Sequence, residues 1–562
     1  MWDFVKKYKW LLLALIVAVL AGRMLLTGLH FYTHDDIEIF RLNEFMQCFR
    51  DGQIPCRWSA NLGKGYGYPW FEFYAPMIYV VPSLLHTIGF SLVASLNLFE
   101  FLTFLLAAWA MYAFAKELTK RDDLAALASV LYTLYPFHAI NAFIRGVYAE
   151  NLCWSLAPLI MLGIYRLVRT NKWQKSLPFL FAAIYVTHII SSFVVTGIAA
   201  GWLIALLIVH KKPMFRNIIR FTAAVVMGIG IAAFYFIPVI VEKQLVQTGS
   251  LISGYFTYSN HFVSLGQLFT WYVWNYNASV WGIAKDDMPF MVGHIHTILL
   301  GVALMFTVFF FLRDKKYQKQ NTKKLGLVAF SLAAFGFLIF LTHGKSEFLW
   351  KHIVELQYVQ FPWRFVAWAG IPLVIAIILL LSTLPKKLTM VLLFATFVAL
   401  PIYSYRFFFP RYYDQYTDVD YLAGSKTKDQ MSASLYDYLP DTVHKVPEND
   451  ASSPLYAKVD GVTAAPVYAR TSNHFVVTVT AEHSATLTLS EFYFPGWTGT
   501  VNGRKTTITP DPAYGLITIT VPAGKSTVDL HFGETPLRAL ADYLTAITLV
   551  GYLAYLLKSR VQ

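Results

Sequence analysis

Apolar runs long enough to cross a bilayer recur along most of this chain, and short loops holding its lysines and arginines separate them. About 20 apolar residues span a hydrocarbon core, and inside that core every backbone N–H and C=O must be satisfied within the segment, so each run is committed to a helix. Composition agrees: the 562 residues are 56% hydrophobic and only 14% charged, outside the range of ordinary soluble domains. The chain reads as a polytopic membrane protein. Its net charge of +13 sits in loops between apolar runs, the positive-inside pattern, and so marks topology rather than a nucleic-acid footprint. The start, MWDFVKKYKW, is basic and then apolar like a signal peptide. No clear small-residue cleavage site follows, and the run Trp10 to Leu29 is long enough to span, so it is taken as the first helix.

The basic loops set an expected orientation in the membrane. Lys6, Lys7 and Lys9 place the N-terminus in the cytoplasm, and the next inside signal is Lys116 to Arg121. Parity makes Pro76 to Phe90, short and interrupted by Pro82 and Gly89, an interfacial or re-entrant segment rather than a span. Spans are then expected at Leu96–Phe114, Leu124–Pro136, Leu152–Leu167, Leu177–Ile190, Phe193–Val209, Ile218–Ile240 and Phe290–Leu312. They continue at Leu325–Leu341, Phe365–Leu384, Leu388–Ser404 and Ala539–Leu557. With the first helix this makes about 12 transmembrane helices, both termini inside.

One polar stretch, roughly Arg406 to Pro536, falls outside by the same parity. Its second half alternates with period two, in HFVVTVTAEHSATLTLSEFYFPGW, TGTVNGRKTTITP and GLITITVPAGKSTVDLHF, broken at Asn502-Gly503, Asp511-Pro512 and Pro522-Ala523-Gly524. That pattern predicts a small antiparallel sandwich or jelly-roll module. The expected organisation is a transmembrane domain over 1–405 with a first external loop at 30–95, an extracellular mainly β domain over 406–537, and a last helix with cytoplasmic tail over 538–562. Cys48 and Cys56 both fall outside and either pair or stay free, while Cys153 begins a helix. There is no phosphate-cradling Gly-rich loop, zinc-type Cys/His spacing or nucleophile elbow, which argues against a soluble nucleotide site.

The most informative stretch is FYTHDDIEIFRLNEFMQCFRDGQIPCRWSANLGKGYGYPWFEFYAP, Phe31 to Pro76, directly after the first helix. Its HDD, followed by GQIPCRWSANLGKGYGYPWFEFYAP, then RGVYAEN and VQFPWRF, resembles the bacterial membrane proteins grouped as YfhO-like or 6-pyruvoyl-tetrahydropterin-synthase-related. The C-terminal SEFYFPGWTGTVNGR and VPAGKSTVDLHF look like the extracellular module that closes YfhO-like chains. Such proteins are similar in layout to GT-C glycosyltransferases, the superfamily of oligosaccharyltransferases, protein mannosyltransferases and lipid A aminoarabinose transferases. The resemblance implies transfer of a sugar from a polyprenyl-phosphate donor to an extracytoplasmic acceptor, such as teichoic acid or another envelope glycan or protein. The implied partners are the donor lipid, the acceptor and membrane lipids.

Inverting glycosyl transfer needs a carboxylate to take the acceptor's hydroxyl proton and cationic groups to hold the departing phosphate. GT-C enzymes carry the catalytic acid in the first external loop, which here matches Asp35 or Asp36; Asp35 stands slightly ahead, although neither spacing nor pattern separates the two, and the bland alternative is a pair of solvated helix-end residues. Arg364 in FPWRF can hold a lipid phosphate bidentately or snorkel beside Trp363, and Arg145 is a second phosphate candidate. Glu150 reads as a second acid near the acceptor or a metal, or as a loop salt bridge. His188 in YVTHIISS is a polar residue at membrane depth or a structural histidine. His294 in GHIH, with His296, can face the same cavity near the acceptor; HxH is a weak metal signal lacking a third ligand, and no metal site is assigned. His34 neighbours the acid pair, and Glu72 in PWFEFY contacts an acceptor sugar or packs a lid of aromatics. No cofactor is required by these residues, and a divalent cation, Mg2+ or Mn2+, is left open. The aromatics Trp70 to Tyr74 and Trp271 to Trp281 suit sugar stacking but better suit an interfacial belt. A transporter or flippase of lipid-linked sugars would carry internal repeats and mid-span charges, neither of which is seen; a non-catalytic envelope-assembly scaffold is the third alternative.

Overall fold

The apolar runs fold as helices. A computed structural model describes residues 2–280, 288–465 and 468–561; Trp281, the last aromatic of the second belt segment, lies outside them. Among the described residues ten helices are long and apolar enough to cross a membrane, and an eleventh crossing is made if Asp122–Thr133 and Pro136–Arg145, bent by 43°, count as one. The bend falls at Pro136, which cannot donate the backbone bond a continuous helix needs. The expected span at Leu177–Ile190 is where the count of twelve departs. Its helix, Leu177–Tyr185, has nine residues, about 14 Å at 1.5 Å per residue, before the chain turns into Ile189–His210. Pro76–Phe90 contains only the eleven-residue helix Met77–Thr87 with Pro82 inside it, about 16 Å long.

Contacts divide the chain into two compact units, each assembled from separate stretches of sequence. One comprises Met1–Asp36, Val93–Ile229 and Ile252–Gln415; the other comprises Ile37–Leu92, Gly230–Leu251 and Tyr416–Gln562. In the first, the helix Pro362–Leu381 has 94% of its apolar window buried, so it is the central stave of that unit. Tyr132 stacks on Trp154 at 4.2 Å, and the Tyr135 hydroxyl donates to the Val366 carbonyl at 2.9 Å.

The second unit holds the β module. Its strands are β1 (Val462–Ala464), β2 (Ala469–Arg470), β3 (His474–Ala481), β4 (Ala485–Phe492), β5 (Trp497–Val501), β6 (Arg504–Thr506), β7 (Thr509–Pro510), β8 (Leu516–Val521) and β9 (Gly524–Phe532). They form two antiparallel sheets, one ordered β1-β3-β9-β5-β6 with β2 also on β3, the other β4-β8-β7. Alternation places Phe475, Val477 and Val479 of β3 and Val528, Leu530 and Phe532 of β9 in the interior. The sheets face each other: a Cβ on Gly499 of β5 would touch both Leu530 of β9 and Ile519 of β8. Asn502 and Gly503 both take positive φ between β5 and β6, the backbone of a tight hairpin.

Buried ion pairs tie the separate stretches of this unit together. Arg57 contacts Glu72 at 3.0 Å, Glu534 at 2.7 Å and Asp542 at 2.9 Å. It also donates to the Phe234 carbonyl at 3.1 Å, the acceptor that Pro238 four residues on cannot serve. Burial opposes Arg57's charge, but these three carboxylates hold its pKa well above the ordinary range. Arg538, fully buried, meets Glu242 at 2.9 Å and Glu72 at 3.5 Å. Cys48 and Cys56 form a disulfide. Replacing Arg538 with Met leaves Glu242 and Glu72 buried without that cation, a loss of about 3–5 kcal/mol for a broken buried pair; the apparent melting temperature of the full-length protein in detergent is expected to fall, and an unchanged melt would contradict the role given to this network.

Candidate functional site

The acid pair is positioned by backbone, across a turn built from a second motif. The helix beginning at Pro136 widens into a π-helical turn at Asn141–Arg145, a feature common at functional sites, and Gly146 follows at φ +74°. Thr33 to Asp36 lies across this turn: the His34 N–H donates to the Ile144 carbonyl and the Asp35 N–H to the Arg145 carbonyl, both at 2.9 Å. Only glycine suits position 146. Its φ is left-handed, and a Cβ there would collide with the Thr33 side chain.

The same turn aims Arg145 inward. Its Nη1 donates to both Glu150 oxygens at 3.0 Å and to Asn141 Oδ1 at 2.6 Å, and its guanidinium lies 4.9 Å from the centre of the Trp363 ring. Glu150 sits in the first turn of Tyr148–Thr170, where the helix dipole favours a carboxylate. Arg364 Nε is 3.9 Å from Glu150, and Arg364 is 14% exposed against 5% for Arg145, so Arg364 is the more accessible cation. Gln360, at φ +66°, accepts from Arg364 Nη1 at 3.2 Å; a non-glycine residue held there is strained backbone of the kind found at functional sites. RGVYAEN and VQFPWRF, far apart in the chain, thus meet around one carboxylate and two guanidinium groups. His188 caps Ile189–His210, its Nδ1 accepting from the Ser191 N–H at 3.2 Å, within electrostatic reach of Glu150, Arg364 and Arg145.

The two aspartates differ sharply. Asp35 is exposed, and among the described residues its carboxylate accepts no hydrogen bond. Asp36 is held by His30, whose Nε2 is 2.8 Å from Asp36 Oδ1 while Nδ1 is 2.7 Å from both oxygens of Asp414. Asp414 is brought there by the antiparallel bridge of Phe31 with Tyr413 and by its own N–H donating to the His30 carbonyl at 3.2 Å. Burial pulls the His30 pKa down, yet the hydrogen bonds and charges of Asp36 and Asp414 outweigh it and leave it raised. His34 donates from Nε2 to the Tyr276 carbonyl at 3.0 Å. Burial lowers its pKa against the pull of that carbonyl and of Asp35, with the Arg145 charge adding to the lowering.

Two expected site residues stand elsewhere. Glu72 belongs to the second unit and is enclosed by Arg57 and Arg538; burial pushes its carboxyl up to about 7 despite both cations. His294 hydrogen-bonds Tyr403 at 2.5 Å among Tyr272 and Arg406, whose guanidinium covers the Tyr272 ring at 4.3 Å. His296 is buried and bonded to the Leu131 carbonyl at 2.8 Å, and among the described residues no group of three or more His, Cys, Asp or Glu is placed to hold a metal ion. Trp70 is buried under Arg41, 3.7 Å from its ring centre, so this aromatic faces neither a sugar nor an interface, whereas Trp271 and Tyr272 are exposed. Sequence reasoning missed His30, Asp414, Asn141 and Gln360. His30 and Asp414 are 384 residues apart, and no local spacing links them.

The family described as 6-pyruvoyl-tetrahydropterin synthase related domain, a membrane protein family, matches residues 71–406, well over half the chain. The chain belongs to this family. The match takes in both RGVYAEN and VQFPWRF. A protein of Lactococcus lactis subsp. cremoris strain MG1363, described as uncharacterised, is 23% identical over 249 residues, 42% of this chain and 40% of that protein's length. The arabinofuranosyltransferase AftD from Mycobacteria, solved by cryo-electron microscopy, is similar at a TM-score of 0.43 and 16% identity over 72% of this chain and 27% of its own. The chain therefore spans well under half the length of these relatives.

Two outcomes follow from this geometry. Gly146→Ala is expected to lower the apparent melting temperature by displacing Thr33, the left-handed φ alone costing about 1–2 kcal/mol; a wild-type melt would show that the turn tolerates a side chain. His30 has a folded pKa above its ordinary 6.5, so its contribution to stability is whole below that value and disappears as pH rises through the folded value. Melting temperature measured from pH 6 to 9 should fall more steeply for wild type than for His30→Gln, and superimposable profiles would contradict the paired imidazolium.

Proposed function

We propose that this chain is a membrane glycosyltransferase of the inverting type, moving a sugar from a polyprenyl-phosphate donor to an envelope glycan, polymer or protein outside the cytoplasmic membrane. One observation carries the reading: the Asp35 N–H is bonded to the carbonyl of Arg145, whose guanidinium shares Glu150 with Arg364. A residue whose carboxylate can take a proton is thereby tied through its main chain to a cluster of two arginines and one glutamate, of which Arg145 and Glu150 are buried and Arg364 is partly accessible. Its surplus positive charge suits a phosphate, and bidentate guanidinium contact suits its oxygens.

In the proposed step, one aspartate of the pair removes the proton from the acceptor hydroxyl as that oxygen bonds to the anomeric carbon. The bond from that carbon to the phosphate oxygen breaks, and polyprenyl phosphate leaves against Arg364 and Arg145. A phosphate leaves readily, so no general acid is needed, and the oxocarbenium-like charge on the sugar is shared with the nearby carboxylates. The extracytoplasmic placement rests on the basic-loop parity and is supported by the Cys48–Cys56 disulfide, since such bonds persist in oxidising compartments. His34, whose pKa is lowered by burial, and His188 line the surroundings of the cluster without a proton-transfer role.

Asn substitution at Asp35 and Asp36 together is expected to cut sugar incorporation into the envelope polymer by about 100-fold or more, the scale of a lost general base, at unchanged protein abundance. Retained incorporation in the double variant would refute the enzyme.

A further inference from the structure

His30 and Asp414 have no place in the transfer step just described, yet they make the tightest polar contacts around the acid pair. Both ring nitrogens of His30 lie against carboxylate oxygens, Nε2 at 2.8 Å from Asp36 and Nδ1 at 2.7 Å from both oxygens of Asp414. A neutral imidazole has a single N–H and meets one acceptor as a donor; only the imidazolium donates at both nitrogens. His30 is 6% exposed, whereas Asp36 and Asp414 are 19% and 18% exposed. The cation is thus sheltered between two carboxylates that are themselves partly exposed. Its hold does not depend on side chains alone, because the Phe31–Tyr413 bridge and the bond from the Asp414 N–H to the His30 carbonyl fix the two backbones side by side.

We propose that His30 is a positioning residue that, clamped between Asp414 and Asp36, commits Asp36 to a permanent ion pair and leaves Asp35 as the proton acceptor of the pair. This rests on the glycosyltransferase reading and deepens it by dividing labour between two neighbouring acids that the chain's spacing leaves equivalent. A carboxylate already bonded to an imidazolium is a poor base, since taking a further proton breaks a charge-assisted hydrogen bond. Asp35 bears no such cost. It is exposed, and its backbone N–H is bonded to the Arg145 carbonyl, so it is carried by the same turn as the arginine while its carboxylate remains open to an acceptor hydroxyl. Asp414 favours the imidazolium form of His30 and so keeps Asp36 paired with a cation.

Carbodiimide coupling reads this without any sugar substrate, because it consumes carboxyls through their protonated form. Full-length wild type, His30→Gln and Asp414→Asn, in detergent near neutral pH, are treated with a water-soluble carbodiimide and glycine ethyl ester, and modification at each aspartate is read by peptide fragmentation. In wild type Asp35 should be modified several-fold more than Asp36, whose carboxylate is held by the imidazolium. Modification of Asp36 should rise in both variants while that of Asp35 stays level. Equal modification of the two aspartates in wild type, or no rise at Asp36 in either folded variant, overturns the clamp. Sugar incorporation by the single variants completes the test: Asp35→Asn should abolish it and Asp36→Asn should leave a measurable remainder, and the reverse order overturns the division of labour. Incorporation retained in both single variants and in the double variant would instead refute the glycosyltransferase reading, and the labelling result would still report on the clamp.

Discussion

The ion pair of Arg145 with Glu150 is buried on both sides, and most of what surrounds the acid pair is arranged to keep it satisfied. Removing a guanidinium and a carboxylate from water costs several kcal/mol each, and the cost is recovered only with good geometry and further hydrogen bonds. Here Asn141 bonds both partners, the Trp363 ring covers the guanidinium, and the helix dipole steadies Glu150. The widened turn at Asn141–Arg145 and the left-handed Gly146 bring the arginine into place. Once that turn exists, its carbonyls are left pointing outward, and they receive His34 and Asp35. The position of the aspartates is therefore a by-product of how a buried arginine is accommodated.

The second unit solves a similar problem with different parts. Pro238 leaves the Phe234 carbonyl without its helical donor, and Arg57 supplies one while pairing with Glu72, Glu534 and Asp542. The Phe234 N–H, at the start of the same helix, donates to the Thr545 hydroxyl at 2.8 Å. A helix interrupted by proline is thus stitched to residues from either end of the chain, which explains why Ile37–Leu92, Gly230–Leu251 and Tyr416–Gln562 form one unit.

Hydrophobic runs and basic loops made the membrane class and nearly every span legible, because length and polarity alone decide whether a helix can cross. Leu177–Ile190 is the exception: its composition is mostly apolar, and the turn at Val186–His188 shortens it. Strand alternation and Asn502-Gly503 likewise announced the β module. The candidate site was legible only as residue types. Arg145, Glu150 and Arg364 drew notice as charges at helix ends, and the structure sets them around one another. Glu72 drew notice for its aromatic neighbours, but its partners Arg57 and Arg538 come from folding at a distance. His30 sits six residues before Asp36 and 384 before Asp414, and no periodicity relates those positions. Side-chain pairings between remote stretches are set by tertiary packing, which a single sequence does not display.

The origin of Asp414 bears on how such proteins can be recombined. It lies beyond the span Lys386–Phe407 but still within the first unit, which closes at Gln415. A hybrid that borrows its β-rich portion from a distant cousin keeps the native partner of His30 only when the crossover falls after Gln415. A junction drawn at the end of the apolar run, where hydropathy invites it, would separate an imidazole from its counter-ion and hand its place to whatever side chain the donor sequence happened to carry.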